Sequence, residues 1–278
     1  MLASEISRAL GAARSTASSL GLPVDDAVVL QNSNKLTLRL LPCDVVARVA
    51  PVADQVAHLE VEIAQRLTAA GSPVAALDPR VEPRVYERDG LVMTLWTYYA
   101  PGRSWEVSPA DYADALGRLH AGLRTLDVRT PHFMERVESA QRVVADHERS
   151  PGLTEPDRAL LGDTLRDVGR AVAERRADQL LHGEPHPGNV LATADGPLFI
   201  DFETCCRGPV EFDVAHAPEG IGGLCLGVDQ EVLRDCRILV RAMVTAWRWD
   251  RNDQFPGGRR LAGEGLGLLR AALDRRGG

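Results

Sequence analysis

The chain has no basic surplus, no long apolar run and no paired-cysteine motif, and each absence removes a class of function. Lys plus Arg number 32 against 39 Asp plus Glu, a formal charge of −7. A general nucleic-acid binder needs a basic surface that releases counterions, so that class is set aside. Every apolar run is broken by Arg, Asp or Pro short of the roughly 20 residues that span a bilayer. The first residues carry Glu5, Arg8 and Arg14 and no continuous apolar segment. No secretory signal is therefore expected, and the chain reads as cytoplasmic, without a membrane partner. Cys43, Cys205, Cys206, Cys225 and Cys236 form no Cys-x-x-Cys pair, which argues against zinc and for inert, reduced thiols. Neither an internal repeat nor a low-complexity linker is visible. What is present is 278 residues, 45% hydrophobic and 26% charged, enough for one bilobal unit or two small domains.

The N-terminal third reads as strand-rich. Residues 27–30 and 36–40 flank the polar turn Gln31-Asn32-Ser33-Asn34-Lys35, the pattern of a hairpin. Residues 45–49 predict a third strand. His58 to Ala70 predicts a helix, with Leu59, Ile63 and Leu67 at four-residue spacing and Gly71 in the C-terminal capping position. Residues 85–88 and 91–96 flank Asp89-Gly90, a strong hairpin turn. Beyond this the pattern is mainly helical. Helices are expected after Ser108-Pro109 and after Thr154-Glu155-Pro156, and over 229–249. Phe255 to Arg260, rich in Gly and Arg, is expected to be a flexible loop. The expected fold is α+β and bilobal, with a small β-rich N-terminal lobe over 1–97 and a larger, mostly helical lobe over 98–278. A ligand cleft is expected at the join, because pockets favour domain interfaces.

The chemistry is concentrated in His182-Gly183-Glu184-Pro185-His186-Pro187-Gly188-Asn189 and in Ile200-Asp201-Phe202. The prolines and Gly188 keep the first segment irregular. Such a loop can aim Glu184 at an acceptor hydroxyl and Asn189 at a metal. Residues 190–192 and 198–200 flank Asp195-Gly196, a hairpin that returns Asp201 toward Asn189. Two hard oxygen donors converging in this way predict a Mg²⁺ site, with Asn189 and Asp201 as ligands. Glu184 and Asn189 stand at the interval of Asp and Asn in the protein-kinase catalytic loop, and Asp201 follows as that pattern's second metal ligand does. Arg48, on the third strand, occupies the place of the phosphate-contacting Lys. Glu60 on the following helix is its expected partner, since Glu62 points to a different face.

Together these segments resemble the aminoglycoside phosphotransferase family, a branch of the protein-kinase-like fold. The resemblance rests on His182-Gly183-Glu184 and Asn189, Ile200-Asp201-Phe202, Leu116-Gly117-Arg118-Leu119-His120, and Pro209 to Ala215 with Asp213. It covers nearly the whole chain. It implies a small-molecule kinase that moves a phosphoryl group from ATP or GTP, with Mg²⁺, to a hydroxyl. The acceptor class would be an aminoglycoside-like antibiotic, as in resistance enzymes, or another amine- or sugar-containing metabolite. By matching positions Glu184 is the base, Asn189 and Asp201 are the metal ligands, and Arg48 is the phosphate contact. Leu95, Trp96 and Thr97 form the hinge that holds the nucleotide base, and Asn32-Ser33-Asn34 covers the phosphates. Two departures, Glu184 for Asp and Arg48 for Lys, keep open the alternative of an inactive pseudokinase that binds a nucleotide or metabolite. Tyr98, Tyr99 and Trp105 are pocket candidates. The acids Glu203, Glu211, Asp213 and Glu219 either attract an amine-bearing acceptor or form a solvated face.

Overall fold

A computed structural model describes residues 3–33, 35–53, 56–100, 107–175 and 178–277; Asn34 and Trp105, two of the candidates above, lie outside them. The polypeptide begins with helix α1 (Ala3–Ser19), followed by strands β1 (Val24–Asn32), β2 (Leu36–Pro42) and β3 (Val45–Pro51). Helix α2 (Val56–Ala69), strands β4 (Tyr86–Arg88) and β5 (Leu91–Thr97), and helix α3 (Pro109–Arg124) come next. Helices α4 (Phe133–Ala145) and α5 (Glu155–Arg175) lead to β6 (Gln179–Leu181), β7 (Val190–Thr193), β8 (Gly196–Phe199) and β9 (Cys206–Gly208). Helices α6 (Val210–His216), α7 (Gln230–Arg248) and α8 (Gly258–Gly277) close the order.

The N-terminal sheet is antiparallel, in the order β1-β2-β3-β5-β4. Period-two alternation sorts its side chains. Leu36, Leu38, Leu40, Val45, Ala47, Val49, Leu91, Met93 and Leu95 turn to one face and are buried with Ala9, Ala12, Ala13 and Ala17 of α1. Helix α2 ends as its sequence predicts. Gly71 takes φ +69°, the Ser72 N–H donates to the Leu67 carbonyl and the Gly71 N–H to that of Thr68, which satisfies two terminal carbonyls. The other capping signals hold as well. Ser108 accepts the Asp111 N–H at 3.1 Å and Thr154 that of Asp157 at 3.4 Å; Asp229, not singled out by sequence, caps α7 by accepting the Glu231 and Val232 N–H groups at 2.9 and 3.2 Å.

The chain packs as two compact units, residues 1–126 with 188–204, and residues 127–187 with 205–278. They do not follow a single cut after residue 97. In the first unit α3 packs on β8 and α2 on the turn at Phe202–Thr204, so the β7–β8 hairpin belongs with the sheet. The second unit is mainly helical. Phe133, Val137, Leu161, Leu165, Phe212, Cys236, Leu239 and Met243 are fully or almost fully buried in its core. The expected loop at Phe255 to Arg260 is shorter than predicted, because α8 starts at Gly258. Gly and Arg at a helix start cost little when the following turns bury Ala262, Leu266 and Leu269. All five cysteines are free thiols, four of them buried. Burial pushes the Cys206 and Cys236 thiols well above the ordinary range, which keeps them inert. No helix among the described residues is long and apolar enough to cross a membrane.

Candidate functional site

The second face of the sheet carries the charge. Lys35 just before β2, Thr37 on β2, Val46 and Arg48 on β3, and Trp96 on β5 all line a cavity of about 300 Å³ in the first unit. Ser33, Thr97, Tyr98 and Tyr99 line it too, as do Asn189 and Asp201, which flank the β7–β8 hairpin at its open end. Thr97 is fixed by its N–H, which donates to the Ala76 carbonyl at 3.0 Å. The Tyr99 hydroxyl accepts the Ala76 N–H at 3.1 Å, so this ring both lines the cavity and braces the strand end. Of the three hinge candidates, Leu95 is the one that does not line the cavity. The alternation of β5 turns its side chain into the core on α1, and its carbonyl accepts the Asp78 N–H at 3.0 Å.

The hairpin behaves as the sequence predicts. Val190 pairs with Phe199 and Thr193 with Gly196, and the Ile200 N–H donates to the Asn189 carbonyl at 3.0 Å. This last bond ties the backbone at Asn189 to the residue before Asp201. Asp201 itself has φ +70°, a left-handed backbone that Asp tolerates better than most residues but at some cost.

Charges in the cavity are paired with one another. Arg48 donates to Glu60 through Nη1 and to Asp201 Oδ1 through Nη2, the second bond being 2.7 Å. Lys35 Nζ lies 3.0 Å from Glu60 Oε2 and 2.9 Å from Glu203 Oε2. Glu60 is thus shared by two cations and is only 1% exposed, while Glu62 pairs with Arg66 on the surface. Burial works against the Lys35 ammonium, but Glu60 and Glu203 more than offset it and hold its pKa above the ordinary lysine value. Burial, with Asp201 nearby, pushes the Glu203 carboxyl above the usual carboxylate range. Sequence reasoning grouped neither Lys35 nor Glu203 with Arg48 and Glu60. A Lys after a polar turn has the local pattern of a surface residue, and only the tertiary distances mark it out.

A divalent cation fits this donor set. No group of three or more His, Cys, Asp or Glu side chains converges among the described residues, so an all-protein cage is not what is built. Asn189 and Asp201 offer two oxygen donors on one cavity, the arrangement Mg²⁺ uses when waters and substrate phosphates complete its shell. Lys35 and Arg48 face the three carboxylates Glu60, Asp201 and Glu203, leaving one negative charge in excess. An anionic ligand therefore needs accompanying cations to enter.

The expected base, Glu184, belongs to the second unit, in the loop after β6. Gly183 has φ +91°, which only glycine adopts without strain. Asp213 of α6, fully buried, accepts the N–H groups of His182 and Gly183 at 3.0 and 2.8 Å. The Glu184 carboxylate accepts from Arg136 Nη2 of α4 at 2.6 Å, and the Arg136 guanidinium stacks over Trp247. Nothing local in the sequence marks Arg136. The four acids expected to attract an amine or face solvent are mostly committed elsewhere. Glu203 pairs with Lys35, Glu211 accepts the Asp229 N–H at 2.9 Å, and Asp213 holds the loop. Glu219 is exposed and lines a second cavity, of about 510 Å³, together with Arg237, Arg241, Arg248 and Glu264.

Comparison with known proteins agrees with this architecture. A profile of a family described as the phosphotransferase enzyme family matches residues 30–223. Among solved structures the chain is similar to an amicoumacin kinase in complex with AMP-PNP, Ca²⁺ and Ami, with TM-score 0.72 and 11% identity over 97% of this chain and 96% of that one. It is similar to an aminoglycoside 2'-phosphotransferase-IIIa variant in complex with GDP, with TM-score 0.68 and 15% identity over 96% and 97%. A third likeness is to a choline kinase from Streptococcus pneumoniae, with TM-score 0.65 over 93% and 98% of the two chains. No curated protein sequence matches.

Proposed function

This chain belongs to the aminoglycoside phosphotransferase family, and we propose that it transfers the terminal phosphoryl group of ATP or GTP to a hydroxyl of a small molecule. One observation carries the reading. Asn189, Asp201, Lys35 and Arg48 line a single cavity, which brings two hard oxygen donors and two cations together with the hinge residues Trp96 and Thr97. Phosphoryl transfer needs little covalent help from a protein; it needs an aligned acceptor and neutralised phosphate charge. A Mg²⁺ held by Asn189 and Asp201 would supply that neutralisation. In the transfer, the acceptor oxygen bonds to the terminal phosphorus, the bond to the bridging oxygen breaks, and the nucleoside diphosphate leaves. Glu184 takes the acceptor's proton, a role its position in the loop motif supports. We assign the nucleotide to the N-terminal lobe, residues 1–97, with the β7–β8 hairpin. The catalytic loop and the acceptor fall to the rest of the chain. An amine- or sugar-containing metabolite, or an aminoglycoside-like antibiotic, fits the substrates named for the structural neighbours.

A second reading, a nucleotide-binding pseudokinase, is favoured by one contact, the Arg48 guanidinium on the Asp201 carboxylate. The deciding experiment is a thermal-melt series with ATP and GTP, each with and without Mg²⁺, followed by transfer of labelled γ-phosphate to a panel of amino alcohols, sugars and aminoglycosides. A metal-dependent rise in melting temperature and a labelled acceptor are expected. A rise without any transfer would favour the pseudokinase, and no rise with either nucleotide would overturn both readings.

A further inference from the structure

We propose that Lys35, carried into the cavity from the residue before β2, is the ammonium that grips the nucleotide's phosphates beside Arg48; this rests on the nucleotide reading above. Composition makes the position singular. The chain has 32 cationic side chains, and Lys35 is the one lysine; the other 31 are arginine. Wherever else the chain carries a Lys or Arg, on its surface, at helix ends or in ion pairs, the residue is arginine. The single ammonium is 5% exposed and lines the cavity that holds Asn189 and Asp201.

The two cations are not equivalent there. The Arg48 guanidinium is a planar fork, and both of its arms are committed, one to Glu60 and one to Asp201. An ammonium is a compact charge with three donors that rotate about one bond. Lys35 sits between Glu60 Oε2 and Glu203 Oε2 at 3.0 and 2.9 Å. A phosphate oxygen can take the place of either carboxylate while the ammonium stays paired, one anion exchanged for another. Glu60 can release Lys35 at little cost because Arg48 still neutralises it. Stability alone is a poor explanation for a buried lysine between two acids, because desolvating three charges costs about as much as their attraction returns.

The alternative is that Lys35 only neutralises Glu60 and Glu203 and touches no ligand. Dissociation constants separate the two. ATP and GTP are measured with Mg²⁺, each beside its unphosphorylated nucleoside, on the parent, Lys35→Met and Lys35→Arg. A phosphate grip predicts that Lys35→Met weakens the triphosphate by about tenfold or more, the scale of one charge-assisted contact, and leaves the nucleoside unchanged. Lys35→Arg is expected to recover part of the loss. Equal triphosphate binding by parent and Lys35→Met would overturn the inference, as would an equal loss for triphosphate and nucleoside. If the parent binds no triphosphate, the proposed function itself fails. Should Lys35→Met not fold, acylation of the parent by an amine-directed reagent decides, since peptide mapping separates the single lysine from the α-amino group. Protection of Lys35 by the triphosphate but not by the nucleoside supports the grip, and equal labelling overturns it.

Discussion

The cavity of the first unit and the loop after β6 in the second use buried charge in opposite ways. In the cavity, charge holds charge: Lys35, Arg48, Glu60, Asp201 and Glu203 are joined side chain to side chain. In the loop, charge holds backbone: Asp213 gives one oxygen to the His182 N–H and the other to that of Gly183. A carboxylate gripping main chain fixes the path of the polypeptide. Paired side chains can exchange partners when a ligand arrives, without moving the strands that carry them. The difference separates residues whose loss should change chemistry from those whose loss should change folding.

The sharpest way to test this contrast is to remove Asp201. Asp201→Ala is expected to lower transfer by about 10³-fold or more, the scale of losing a contact to developing charge. Its melting temperature should stay near the parent's, because Arg48 keeps Glu60; full activity would sink the metal assignment. Next in size is Glu184→Gln, with an expected loss of roughly 10²–10⁴ in rate, as for a general base. Turnover at the parent rate on a true acceptor would remove Glu184 from that role. Asp213→Ala should behave the other way round from Asp201→Ala. It leaves two buried N–H groups without their charged acceptor, a cost of roughly 3–6 kcal/mol, read as a lower denaturation midpoint. An unchanged midpoint would erase the distinction between the two regions.

The smallest expected effect is on pH dependence. Burial holds the His216 imidazole down to about 4 from its ordinary 6.5, with Arg136 and His186 also lowering it and Glu184 and Asp213 opposing. Part of this residue is exposed, but its Nε2 is sealed and has no hydrogen-bond partner among the described residues. The folded state disfavours the proton, so the unfolded chain binds it first as pH falls. This contribution is whole above about pH 6.5 and is lost as pH drops toward 4, by at most about 3 kcal/mol. Unfolding curves of the parent and His216→Gln should diverge across that window, and parallel curves would refute the assignment.

Most of the architecture was legible because its signals are local. Turn residues at Asp89-Gly90, the Asp195-Gly196 signal one residue past the observed turn Ala194–Asp195, and caps at Ser108 and Thr154 announce the elements they bound. Helix α1 was not legible. Its buried stripe is Ala9, Ala12, Ala13 and Ala17, too weakly apolar to stand out by periodicity. Helix α4 was missed because its cap is His132, whose ring accepts the Met134 N–H at 3.4 Å, and not one of the usual Ser, Thr, Asp or Asn. In the site, the spacing of Asn189 and Asp201 reflects a hairpin, which sequence can show. The pairings Lys35–Glu203 and Arg136–Glu184 join positions 168 and 48 residues apart, and no periodicity reports on these. The direction of the Leu95 side chain, into the core and not the cavity, was not legible because its strand is buried on both faces, which hides the alternation that sorts them.

The β7–β8 hairpin also has a use in engineering. Its open end, where the Asn189 carbonyl meets the Ile200 N–H, is set by the strands, while its closed end is the exposed two-residue turn Ala194–Asp195 between the paired Thr193 and Gly196. Extra length inserted at that tip bulges into solvent and leaves the pairing below it in register. A fluorophore or short epitope placed there would ride on the same rigid ribbon as Asn189, giving a reporter of ligand arrival that perturbs none of the charges the ligand meets.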